Sequence, residues 1–220
     1  MVQHSFAILD LFGAPELSDL DVCGAGELPA LPDYLSSAIW HHIYGMVHKI
    51  PAARHLDLIF LRRTKAAFSE YNAGRACLLK YIDGVEGGDQ RLGTYHDALM
   101  HFEQCLNAFW EAALLFNKME HKILNLQWIR PTLYPRGSTC DLARINKLNS
   151  VAKHFDIEKA EQTTAPIWIT NVGLKSADAT VSFDELRENL VSLSEIARQM
   201  FVEIPNEVYA RDCAKATGKS

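Results

Sequence analysis

The chain reads as all-α: an antiparallel helical bundle with a small β-hairpin before its last helix. Three observations carry that expectation. Apolar residues recur at three- and four-residue steps through two long stretches, 52–83 and 94–127. Gly84, Gly87 and Gly88 fall between them, so the chain turns and the two helices run antiparallel. Near the end, IWIT (167–170) and TVSF (180–183) are short β-prone runs separated by Gly173 and a polar turn, which suits a hairpin.

Composition sets the outer bounds. The 220 residues are 48% hydrophobic, enough for one sizeable core, with or without an extension. A net charge of −5 excludes a global pull toward nucleic acid or anionic membrane and leaves only local basic patches. The five cysteines are odd in number and never at C-x-x-C spacing. Cys77 and Cys105 fall inside apolar helical patterns, as small core residues do. The first residues lack the pattern of a signal peptide. No apolar run approaches the ~20 residues that span a bilayer. A soluble, cytoplasmic protein without membrane partners is expected.

Taken in order, residues 1–51 form an arm and a helix. FAILDLF (6–12) is followed by Gly13, Pro15, Gly24, Gly26, Pro29 and Pro32, a loop-rich arm that packs on the body or on a second subunit. A helix opens at Pro32 or Asp33, carries Leu35, Ile39, Ile43, Met46 and Ile50 on one face, and stops at Pro51. The body covers 52–205. In 52–83 the stripe includes Leu56, Phe60, Phe68, Tyr71, Leu78 and Ile82, and Gly74 marks either a close packing point or a break. In 94–127 the stripe runs from Leu99 through Phe102, Leu106, Phe109, Trp110 and Met119 to Ile123, broad enough for burial on more than one side, as in a bundle core or a homodimer interface. The segment WIRPTLYPRGSTC (128–140) is a loop enforced by two prolines and Gly137. In the last helix Ser182 and Glu185 form a capping box, Leu186, Leu190, Leu193, Ala197 and Phe201 make the stripe, and Pro205 closes it. Residues 206–220 are a polar tail.

The segment DLARINKLNSVAKHFD (141–156) holds the one arranged polar constellation. Ser138 or Thr139 can cap this helix, and Asp141 suits its positive end. Leu142, Ile145, Leu148, Ala152 and Phe155 form its apolar face, while His154 shares another face with Lys147, Ser150 and Val151. In the loop before it, Arg130 and Arg136 stand beside Trp128 and Tyr134, types that grip phosphates and stack on bases.

Metal chemistry finds weaker support. The Glu plus Glu-x-x-His arrangement of carboxylate bundles is absent, and only Asp97 and His101, four apart, share a helix face. No phosphate-binding glycine loop, nucleophile elbow or H-E-x-x-H occurs. No cofactor is expected.

The layout of two long antiparallel helices, a shorter helix carrying Asn149, Lys153 and His154 in LNSVAKHF, and a closing helix resembles the HEPN superfamily over residues 52–205. The resemblance implies a dimeric helical bundle. In active members of that superfamily an Arg and a His on one helix cut RNA without metal, in a cleft shared by two copies. On that pattern His154 is the acid or base, Lys147 supplies positive charge to the transition state, and Asn149 orients. Arg144, Lys153, Arg130 and Arg136 are then candidates for contact with RNA. This chain departs from the pattern at the Arg, for none stands four to six residues before His154. Arg144 is ten residues upstream, about 15 Å along a helix and on a different face. Lys147 has the right face but, as a point charge, lacks the bidentate grip of Arg. Two further readings remain: a non-catalytic dimeric module that binds a protein partner, as in stress or defence systems, and a metal-binding helical bundle.

Overall fold

A computed structural model describes residues 20–34, 36, 54–86, 92–123, 133–153 and 167–203. The expected helix over 33–50 lies outside them except for Asp33, Tyr34 and Ser36, as do Pro205 and the polar tail. The described part is mostly helical, with a small three-stranded antiparallel sheet. None of its helices is long and apolar enough to cross a membrane.

Two long helices form the centre: α1 (Arg54–Glu86) and α2 (Leu92–Ile123). Their apolar stripes face each other, and aromatic pairs set the register. Phe60 meets Phe116 at 6.2 Å between ring centroids, Tyr71 meets Phe102 at 5.8 Å, and Tyr81 meets Tyr95 at 5.6 Å. Later residues of α1 meet earlier residues of α2, so the pair is antiparallel. Arg63–Glu111 and His101–Glu70, both at 2.7 Å, follow the same register at the edge of the seam. Gly74 does not break α1. It is a close packing point, because a Cβ there would sit 3.2 Å from three atoms of the Phe102 ring.

The sheet corrects the sequence-based hairpin. Strands β1 (Trp168–Thr170) and β3 (Thr180–Ser182) are not paired with each other; β2 (Gly173–Lys175) lies between them, in the order β1-β2-β3. Ile169 and Val181 both oppose Leu174. Gly173 looked like turn material because glycine is rare inside strands. Its function here is clearance, since a Cβ at Gly173 would lie 2.1 Å from the Val181 carbonyl oxygen. The two-residue turn at Asn171 and Val172 is closed by Thr170, whose hydroxyl donates to the Gly173 carbonyl at 3.0 Å and accepts from the Gly173 N–H at 3.1 Å. On the open edge of β1 the Ile169 N–H donates to the Tyr95 hydroxyl at 3.1 Å. Burial pushes the Tyr95 phenol up to about 12, so it stays neutral.

Helix α4 (Phe183–Arg198) starts from the expected capping box. The Ser182 hydroxyl accepts from the Glu185 N–H at 3.1 Å, and the Glu185 carboxylate accepts from the Ser182 N–H at 2.9 Å. The Phe183 ring lies 5.1 Å from that of Phe102. Leu186, Leu190, Leu193 and Ala197 are buried below it. Past Arg198 the helix widens into a π-helical turn, Gln199–Glu203, and Phe201 is still buried.

Residues 20–34 pack on this body. The Asn171 side chain accepts from the Asp21 and Val22 N–H groups at 3.2 and 3.1 Å and donates to the Asp21 carboxylate at 2.9 Å. The Tyr71 hydroxyl donates to the Gly26 carbonyl at 3.0 Å, and Arg75 donates to that of Ala25 at 2.8 Å. Leu20, Ala25 and Tyr34 are buried in the same core as the long helices. Gly24 is required where the arm crosses the turn, since its Cβ would lie 2.1 Å from the Asn171 carbonyl oxygen.

Gly74 yields a sharp expectation. Replacing an interior helix glycine by alanine ordinarily stabilises by about 1 kcal/mol. Phe102 is fully buried between Tyr71 and Phe183 and has little room to yield. Overpacking costs about 1–3 kcal/mol. Gly74→Ala therefore lowers the melting temperature followed by circular dichroism, whereas an unrestrained site would show a rise.

Candidate nucleic-acid interface

The motif-bearing helix is α3 (Asp141–Lys153). Its expected extension to Asp156 lies outside the described residues, as do His154, Arg130 and the side chain of Lys153. Ile145 and Leu148 are fully buried, as their spacing requires. The chain enters α3 through the turn at Arg136 and Gly137, where Gly137 has φ 81°, a left-handed conformation that glycine adopts without strain. The Ser138 hydroxyl accepts from the Cys140 N–H at 3.2 Å, and the Arg144 N–H donates to the Cys140 carbonyl at 3.0 Å. Ser138 thus supports the helix start one residue ahead of Asp141.

Arg144 ties α3 to α4. Its guanidinium is ion-paired with Glu185, the capping-box carboxylate, and also donates to the Thr139 carbonyl at 2.6 Å. Beside it, Asn189 of α4 donates to the Asp141 carboxylate at 2.7 Å and to the Glu185 carbonyl at 2.8 Å. That hydrogen bond from Asn189 is the main reason the Asp141 carboxyl lies below its usual range, with Arg144 adding to the effect.

Lys147 lies one turn further on, exposed. Its ammonium donates to the Asp178 carbonyl at 3.3 Å and stands 3.7 Å from the Asp178 carboxylate. Asn149 is 2% exposed, and its side-chain carbonyl oxygen has no hydrogen-bond partner. Asn149 and Lys147 therefore share a helix but not a surface. Arg136 is exposed in the preceding turn.

Two residues join this region that the sequence did not single out. Trp110 was assigned to the buried stripe of α2, yet it is half-buried and packs on Tyr134, with ring centroids 6.1 Å apart. Asn146 donates to the Tyr134 hydroxyl at 2.6 Å. The signal for Trp110 was the width of the α2 stripe, too broad for a single buried face. Asn146 carried no signal, because its partner comes from a loop. The result is a continuous strip of Trp110, Tyr134 and Asn146 with Arg136 and Lys147 adjoining it in sequence. Paired aromatics next to cations are the elements of a surface that stacks bases and attracts phosphates.

The metal candidate resolves differently. His101 turns its Nδ1 to Glu70 of α1 at 2.7 Å, and Asp97 is exposed. Among the described residues no group of three or more His, Cys, Asp or Glu side chains is placed to hold a metal ion. Cys23, Cys77, Cys105 and Cys140 are free thiols, and burial pushes the Cys105 thiol far up.

The Asp141–Asn189 contact has a pH signature. A carboxyl lowered in the folded state stabilises the fold fully above its ordinary value of 3.8, and that contribution is lost as pH falls through the lower folded value. Asn189→Ala removes the main cause. Titration of Asp141 by NMR in that variant is expected to return toward 3.8, with a smaller loss of stability on acidification below that pH than wild type shows. An unchanged midpoint would assign the lowering instead to the backbone N–H groups of Leu142 and Asp141, with Arg144 as the smaller contributor. Known family models, curated proteins and solved structures provide no match to this chain.

Proposed function

We propose that the chain is an antiparallel helical bundle of the HEPN kind that binds single-stranded RNA along the Trp110–Tyr134–Lys147 strip, and that it acts as a cytoplasmic homodimer. The observation that carries this reading is the packing of the 133–140 loop. Tyr134 is fixed between Trp110 and Asn146 while Arg136 stays exposed two residues away. A loop ring held this way is already ordered before a base stacks on it, which removes part of the entropy cost of binding.

Cleavage is the enzymatic extension of the same reading. His154, one residue beyond the end of α3, would transfer the proton, and Lys147 would offset charge on the phosphate. Arg144 is committed to Glu185, which leaves the bidentate phosphate grip of active HEPN members without an obvious donor on α3. That commitment favours binding over cleavage. The buried Asn149 then reads as a positioning residue for the helix rather than a direct RNA contact.

The test is fluorescence anisotropy with labelled single-stranded RNA in the presence of chelator, run as a salt series. Lys147→Ala and Arg136→Ala should each weaken binding about three- to tenfold and reduce the slope of log K against log salt by roughly 0.7. Tyr134→Ala should weaken binding with the slope unchanged, because it removes stacking and no charge. Chelator-resistant cleavage that disappears in His154→Ala would establish the enzyme. Absence of saturable RNA binding at low salt would retire the RNA reading and leave the protein-interaction module.

A further inference from the structure

Arg144 and Lys147 stand three residues apart on α3 and are neighbours on its surface. Each is held by an acid from the C-terminal unit of sheet and helix. Arg144 is ion-paired with Glu185 in the first turn of α4. The Lys147 ammonium stands 3.7 Å from the carboxylate of Asp178, in the turn between β2 and β3. The cations beside the RNA-facing strip are thus met by carboxylates of the chain itself.

Neither carboxylate is needed in full by the element that carries it. In Glu185 one oxygen, Oε2, accepts from the Ser182 N–H at 2.9 Å and completes the cap of α4, while Oε1 holds Arg144. The cap uses one acceptor, and glutamine serves in a capping box as glutamate does. The turn that bears Asp178 is built by Ser176 and Ala179. The Ser176 N–H donates to the Ala179 carbonyl at 2.8 Å, and the Ala179 N–H donates to the Ser176 hydroxyl at 3.2 Å. The Asp178 carboxylate stands outside that turn, exposed, beside Lys147.

We propose that Glu185 and Asp178 are intramolecular competitors for RNA phosphate, a built-in brake on the affinity of the strip. The inference rests on the RNA-binding reading and adds how that affinity is set. A guanidinium grips carboxylate and phosphate with the same fork of N–H donors. A carboxylate in that fork occupies the place of a phosphate, and the strand must displace it to reach the cation. Exposed ion pairs shift an equilibrium by up to about fivefold, so the brake tunes binding without abolishing it.

The test is fluorescence anisotropy with labelled single-stranded RNA on the full chain. Asp178→Asn and Glu185→Gln should each tighten binding about two- to fivefold. Glu185→Gln should also steepen log K against log salt by roughly 0.7, because Arg144 becomes a further phosphate contact. Circular dichroism should show it melting close to wild type, since the cap is kept. Asp178 lies outside the cap, so its variant decides the matter if Glu185→Gln melts early. Asp184→Asn is the control: it makes the same change in net charge but releases Arg187, which lies beside Gly26 of the arm. It should alter binding less than about twofold. Coupling is the readout that general repulsion would not move. Asp178→Asn should give no gain when Lys147 is already alanine, and Glu185→Gln none when Arg144 is already glutamine. Gains that persist in those backgrounds would overturn the brake. Equal binding by wild type and both variants would overturn it and leave the RNA reading standing. Absence of saturable binding in wild type and variants alike would retire both.

Discussion

Phe102 is the point at which the chain's separate parts become one core. Its ring fills the space that Gly74 leaves open on α1, stands edge-on to Tyr71, and packs on Phe183 at the start of α4. Tyr71 then holds the arm through Gly26, and Phe183 follows directly on the strand that ends in the capping box. The seam between α1 and α2 has its register fixed here, because a bulky ring opposite a glycine fits in only one alignment. A slip of one turn would set Phe102 against a side chain and leave a void at Gly74.

The interface region depends on that core indirectly. The N-terminal end of α3 is bound to α4 by two polar links, Arg144 to Glu185 and Asn189 to Asp141. Glu185 is shared with the capping box, so one carboxylate closes α4 and orients α3. The following turn of α3 carries Lys147 outward and Leu148 and Asn149 inward. A helix fixed firmly at one end presents the groups further along it with little freedom, which a binding surface on a short helix needs. The loop ring of Tyr134 is likewise held from two sides, by α2 and by α3.

Much of this was legible in the sequence, and the exceptions have physical causes. The long helices, their antiparallel run, the start of α3 at Asp141 and the Ser182–Glu185 cap follow from periodicity and local hydrogen-bonding chemistry, which act over a few residues. The strand β2 was missed because Gly173 is there to let another backbone approach, a requirement set by β3 rather than by its own neighbours. The exposed side of Trp110 was hidden because a wide apolar stripe does not say which of its members meets a loop. Arg144 was a candidate for RNA contact on charge alone, and its engagement with Glu185 depends on a residue 41 positions away.

The clip at Asn171 has a consequence for the order in which the molecule assembles. The arm residues that it holds, Asp21 and Val22, lie 150 and 149 positions earlier in the chain. A ribosome releases those residues long before the turn that receives them exists. The α1–α2 seam can close while the C-terminal third is still being made, since its contacts are between neighbouring elements. The arm can only take its final place after the hairpin at 170–173 has formed, so its docking is a late, long-range loop closure. A segment made some 150 residues ahead of the turn that receives it thus docks late.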